Sequence, residues 1–166
     1  MDSINLLIYG TGFIFSLGML ARLGLVATGK FKDPLLAQFE RYGGAELTFN
    51  LIPSALMWTG LALMCGQGAL SPFLLLPGSM TFFGFLFFVI GGGIFLLEPD
   101  LRDHISNFSP RPPWYRKLLT YTSRTERRQI AYMWLRLPRR TRLRYNVNDK
   151  AFYQWADLIV MSATGY

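Results

Sequence analysis

The sequence predicts an all-α integral membrane protein: three transmembrane helices followed by a basic cytoplasmic tail with two short amphipathic helices. Three observations lead there. Of 166 residues, 51% are hydrophobic and only 16% charged, against about 25% charged in a typical soluble domain. Apolar runs of about 20 residues recur, the length an α-helix needs to cross a hydrocarbon core about 30 Å thick. The charge is also segregated: residues 1–98 hold 4 Lys/Arg and 5 Asp/Glu, a net of −1, whereas residues 99–166 hold 13 and 5, a net of +8. The chain is therefore divided into a three-span membrane region, 1–98, and a basic tail, 99–166. A single cysteine, Cys65, excludes an internal disulfide framework.

The first span covers about residues 4–27 and carries one charge, Arg22, near its end; the second covers about 45–65 and the third, without charge, about 77–97. Lipid supplies no hydrogen-bond partner, so each segment must close its backbone bonds internally as a helix. The first window is read as a retained span and not a cleaved signal. Asp2 follows Met1, no basic n-region precedes the apolar run, and the run is longer than a usual h-region.

Orientation follows the Lys and Arg residues. The 28–44 connection carries Lys30, Lys32 and Arg41, the 66–76 connection carries no charge, and the tail carries thirteen basic residues. Three spans put the first connection and the tail on one side, so both basic segments face the cytoplasm, matrix or stroma and the N-terminus faces outward. A bacterial or organelle inner membrane is the expected location.

Association of helices in lipid rests on close packing and a few polar contacts. Gly12 and Ser16, four apart in the first span, and Gly84 and Gly91, seven apart in the third, are the candidate packing positions. Phe82, Phe83, Phe85, Phe87, Phe88 and Phe95 cover nearly the whole circumference of the third span, the pattern of a helix in lipid or in a protein core. Arg22 either snorkels to the headgroups or pairs with Glu46, which shares a helix face with Asn50 four residues on. These three form a candidate polar cluster near the inner interface, and Pro53 is expected to kink the second span.

In the tail, Pro99 closes the third span, and the run from Ser109 to Pro113 reads as a stiff, extended connector. A helix is predicted over about 123–137, opened by the capping-box spacing of Ser123 and Glu126 and stopped by Pro138. A second, capped by Asn148, is predicted over about 148–163. Each is too short to be stable alone in water, so their apolar faces, led by Trp134 and Trp155, are expected to dock on other protein and on the membrane surface. Arg127, Arg128, Arg139, Arg140, Arg142 and Arg144 form the candidate basic surface. Arg binds phosphate in a fork, which suits anionic lipid. Nucleic acid is not expected, because no zinc, RRM or helix-turn-helix signature accompanies the basic residues.

One His and one Cys cannot build a His/Cys metal site. His104, beside Asp103, is read first as a solvated interfacial residue; as a ligand it would supply one axial position to a haem or chlorin, the other coming from a partner subunit. The glycines at 10–12 and 91–93 lie inside apolar spans where a phosphate could not be solvated. The expectation is therefore no enzyme and no intrinsic cofactor. Bound lipid is expected, with a haem, quinone or pigment shared with a partner as the one cofactor option left open. Three spans and a basic inner tail resemble the insertase class in layout, although the 28–44 connection is too short for the coiled coil that class carries there. Two functions are expected to compete: a non-catalytic accessory or scaffold subunit of a larger membrane complex, an energy-converting complex being one candidate, and a small insertion or client-binding factor with a polar inner groove and a phosphate- or ribosome-binding tail.

Overall fold

A computed structural model describes residues 3–44, 51–96 and 111–164. Every regular element among them is helical: α1 (Ser3–Ala27), α2 (Asp33–Arg41), α3 (Leu51–Leu70), α4 (Ser79–Leu96), α5 (Pro113–Tyr121), α6 (Arg124–Arg136), α7 (Arg139–Val147) and α8 (Asp149–Thr164). The described residues fall into two units, 3–24 with 51–96 and 25–44 with 111–164.

The first unit is built from α3, α4 and most of α1. Helices α3 and α4 approach backbone to backbone through glycines. A Cβ at Gly60 would collide with the Gly84 carbonyl and the Phe88 amide, and one at Gly91 would sit 2.7 Å from both the Met57 nitrogen and the Pro53 oxygen. Helix α1 meets α3 through rings: Phe13 covers Gly66, Tyr9 covers Gly68, and Phe15 meets Trp58 edge-on at 5.4 Å. Gly12 faces the Cys65 sulfur, and the buried Ser16 hydroxyl donates to the Gly12 carbonyl at 2.7 Å.

Two helices of this unit, α1 and α4, are long and apolar enough to cross a membrane. Only 6% of the apolar window of α1 and 11% of that of α4 is buried inside the chain, so neither is buried in a core that this chain itself provides. In α4 only Gly84 and Gly91 are buried, while Phe82, Phe83, Phe85, Phe88 and Phe95 are exposed. Helix α3 is as long but less apolar, with Pro53, Ser54, Thr59 and Gln67 within it. It extends five residues beyond the predicted end at Cys65, because the α1 rings cover glycines that read in sequence as a loop; positions 45–50 of the predicted span lie outside the described residues.

The second unit corrects the expected tail in three respects. It holds four helices where two were predicted: Pro113 is the first residue of α5 and not the end of an extended connector, and the arginine run after Pro138 is itself α7. Proline suits a helix start because its missing N–H is one that the first turn leaves unpaired anyway. The 28–44 connection, assigned by sequence to the membrane region, contains α2 and belongs to this unit, with Leu35, Leu36 and Phe39 in its core. Finally, Trp134 is fully buried within the unit and does not face outward for a partner. Trp114, Trp134, Phe152 and Ile130 close over α2, and Phe39 stacks on Tyr115 at 5.2 Å. Four helices and α2 together bury what two isolated helices could not.

Local sequence sets the helix ends. Ser123 and Glu126 make the predicted capping box, and Asn148 accepts from the Ala151 amide to open α8. After α2 the chain turns through Gly44 at φ +80°, where a Cβ would strike the Arg124 carbonyl. Only glycine satisfies both the left-handed backbone and the close approach.

Gly60→Ala should destabilise the first unit by about 2 kcal/mol, since backbone atoms cannot yield to an inserted methyl as side chains do. Gly18→Ala, whose added carbon meets nothing within 4 Å, should be neutral or slightly stabilising. Thermal unfolding of the detergent-solubilised protein compares the two.

Candidate functional site

The residues that converge most densely lie where the chain leaves α1. Gly29, at φ +80°, turns the backbone beside the Trp114 ring, and the Phe31 amide donates back to the Leu25 carbonyl at 3.1 Å. The next residue, Lys32, at the N-cap of α2, is fully buried. Its ammonium donates to the Gly29 carbonyl at 3.2 Å and the Asn146 carbonyl at 2.9 Å, and pairs with Asp149 at 2.7 Å. An ammonium has three protons, and three acceptors receive them. The Trp114 and Phe152 rings lie 5.5 and 5.4 Å away, within range for cation–π attraction. The Lys32 backbone amide donates to the Asn146 Oδ1 at 2.8 Å.

Asp33 extends the network. Its Oδ1 accepts from the Trp134 indole and from Arg142, each at 2.8 Å, and its Oδ2 receives a long contact from the Asn146 amide at 3.5 Å. Next to this cluster is an open groove of about 380 Å³ lined by Phe31, Asp33, Arg139, Arg142, Leu143 and Asn146. The Nε of Arg142 is buried and has no hydrogen-bond partner among the described residues.

Chemically, the enclosed lysine is a structural cation. Its protons are engaged and its approach is closed, so it does not serve as a nucleophile. The groove differs: it joins an apolar wall, Phe31 and Leu143, to two guanidinium groups, which is the composition of a site for an amphiphilic anion.

Some sequence-selected residues are absorbed by the unit itself. Arg127 donates to the Gly44 and Thr122 carbonyls and covers the Phe39 ring, and Arg142 is held by Asp33, so neither belongs to a free basic surface. Arg128, Arg139, Arg140 and Arg144 are exposed. Trp155 is half-buried against Trp134 and Tyr145. Arg22 is exposed on α1, while Glu46, Asn50 and His104 lie outside the described residues. At the opposite end of the first unit from Arg22, Asn5, Tyr9, Met64, Gln67, Gly68, Ser71 and Thr81 line a second cleft of about 490 Å³, where Thr81 donates to Gln67.

Lys32, Asp33, Asn146 and Asp149 were not singled out from sequence, where Lys32 counted only as one inner-side charge. A signal was present: Asp33 followed by Pro34 is a helix start, and Leu35, Leu36 and Phe39 after it have helical spacing. No protein-family model, curated protein or solved structure matches the chain.

Burial pushes the Lys32 ammonium below the usual lysine range, opposed by the hydrogen bond and charge of Asp149. Between this lowered value and the ordinary 10.5 the unfolded chain binds more protons than the folded one, so the Lys32 contribution to stability rises with pH across that window and falls as pH drops through the folded value. Tyr121 and Tyr153 act in the other direction. Burial raises both phenols above 10.0, with Asp157 also raising Tyr121 and Asp149 Tyr153, so their contribution is complete below 10.0 and is lost at higher pH.

Lys32→Met leaves the Gly29 and Asn146 carbonyls without their donor, and each orphaned buried acceptor costs about 1–3 kcal/mol. It should destabilise the second unit by about 3 kcal/mol at pH 7. Denaturant unfolding followed by tryptophan fluorescence should show the gap between wild type and Lys32→Met widening as pH rises toward 10.5.

Proposed function

We propose that the chain is a non-catalytic, multi-pass accessory subunit of a larger membrane complex, possessing no intrinsic cofactor. The observation that carries this reading is the pair of long apolar helices whose surfaces are left almost entirely uncovered by the chain itself. Helices that are apolar all round belong in lipid or against other apolar helices, and backbone-tight glycine seams such as the α3–α4 contact are how membrane helices pair. On this reading α3 is the second of three spans, held in register against α4 by Gly60, Gly84 and Gly91.

The orientation follows from charge. The 71–78 connection between α3 and α4 has no charged residue, whereas the second unit carries Arg128, Arg139, Arg140 and Arg144 exposed. Positive segments remain inside, so the second unit faces the cytoplasm, matrix or stroma and the start of α1 faces out. Its largest rings are already buried within the unit, and its basic exterior is the surface offered to anionic lipid and acidic faces of neighbouring subunits. The exposed rings of α4 supply the surface for partner spans.

Extraction of the native protein in mild detergent, followed by a blue native gel and mass spectrometry of co-migrating chains, tests the proposal. A large complex of fixed stoichiometry is expected. Migration as a small homo-oligomer would contradict it.

A further inference from the structure

We propose that the groove between α7 and the segment that opens α2 is a seat for one anionic phospholipid, its phosphate held by Arg139 and Arg142 and the start of an acyl chain lying along Phe31 and Leu143. The inference rests on the membrane reading above and deepens it by assigning a ligand to one place on the basic exterior.

Placement is the first reason. The Phe31 amide is bonded to the Leu25 carbonyl in the last turn of α1, and Phe31 follows the last residue of α1 by four positions, so one wall of the groove is built from the chain as it leaves a helix long and apolar enough to cross a membrane. Composition is the second. Arg139, Arg142 and Leu143 are at i, i+3 and i+4 on α7 and so share one face, which juxtaposes two guanidinium groups with an aliphatic side chain and the Phe31 ring. A volume of about 380 Å³ is in the range of small-molecule sites.

Charge is the third reason. Asp33 also lines the groove, but its oxygens already receive Trp134, Arg142 and Asn146, so its field is largely spent on those donors. Arg139 is exposed and makes no ion pair among the described residues, and the Arg142 side chain, anchored through one nitrogen to Asp33, is still partly exposed to the groove. Guanidinium binds phosphate in a planar fork. Arg140 and Arg144, off this face, add a diffuse attraction that brings anionic lipid to the surface without selecting a position.

The test uses the full chain purified in mild detergent and examined by native mass spectrometry with phosphatidylglycerol or phosphatidylcholine of identical acyl chains. One phosphatidylglycerol per chain should be retained in preference to phosphatidylcholine. Arg139→Gln should weaken its retention about fivefold, the effect of one interfacial charge, while Arg128→Gln on α6 should leave it unchanged. Leu143→Glu, at an exposed position outside the Lys32 network, should abolish it with the second unit still folded by circular dichroism. Equal retention of the two lipids overturns the site, as does equal weakening by Arg139→Gln and Arg128→Gln. Displacement of the lipid by free inorganic phosphate or by a polyglutamate peptide at comparable concentration also overturns it, in the latter case in favour of an acidic protein partner. Alkaline carbonate extraction of native membranes separates the two levels: release of the chain overturns the membrane reading and the site with it, whereas a chain that stays in the membrane but selects no lipid overturns the site alone.

Discussion

Lys32 carries its charge in the middle of an aromatic core, where an ammonium with any unused proton would be intolerable. An unpaired charge in such a place costs several kcal/mol, so the three acceptors, Gly29, Asn146 and Asp149, must be in place together. They come from the turn after α1, the end of α7 and the start of α8. One side chain therefore ties the turn after α1 to the junction of α7 and α8, more than a hundred residues further along the sequence. Asp33, the neighbouring residue, repeats the arrangement with opposite sign by gathering Trp134 from α6 and Arg142 from α7. Both charges are on the residues that open α2, which is why a short connection becomes the keystone of a helical unit.

The two units solve the same problem, bringing helices close, by different physics. In the first unit the contact surfaces are small: glycines let α3 and α4 approach until backbone atoms touch, and hydrophobic burial contributes little because the remaining faces stay apolar and uncovered. In the second unit the contact surfaces are large rings, with Trp114, Trp134 and Phe152 meeting edge to face at 5.5 to 5.6 Å around the lysine. Aromatic burial drives association in water, and the polar network fixes its register.

Much of the helical content was legible in the sequence, because composition and length alone specify α1 and α4, and the Ser123–Glu126 pair marks the start of α6. The end of α3 was not, since Gly66 and Gly68 look like loop residues until the Phe13 and Tyr9 rings are placed over them. Helix α7 was hidden by its composition: a run of arginines reads as a solvated surface, and the two residues that matter most to its position, Arg142 and Asn146, act through partners in α2. The candidate site was illegible for the same reason. Lys32 and Asp33 are ordinary interfacial charges in one dimension, and only long-range contacts with Trp134, Asn146 and Asp149 give them a role.

The central claim is that the segment after α1 and the four C-terminal helices form one cooperative unit closed over Lys32. Hydrogen–deuterium exchange of the full chain, wild type against Lys32→Met, tests it most directly. The account predicts that the substitution raises exchange together in residues 28–44 and across α5 to α8, with α3 and α4 unchanged. A rise confined to the few residues flanking position 32 would contradict it.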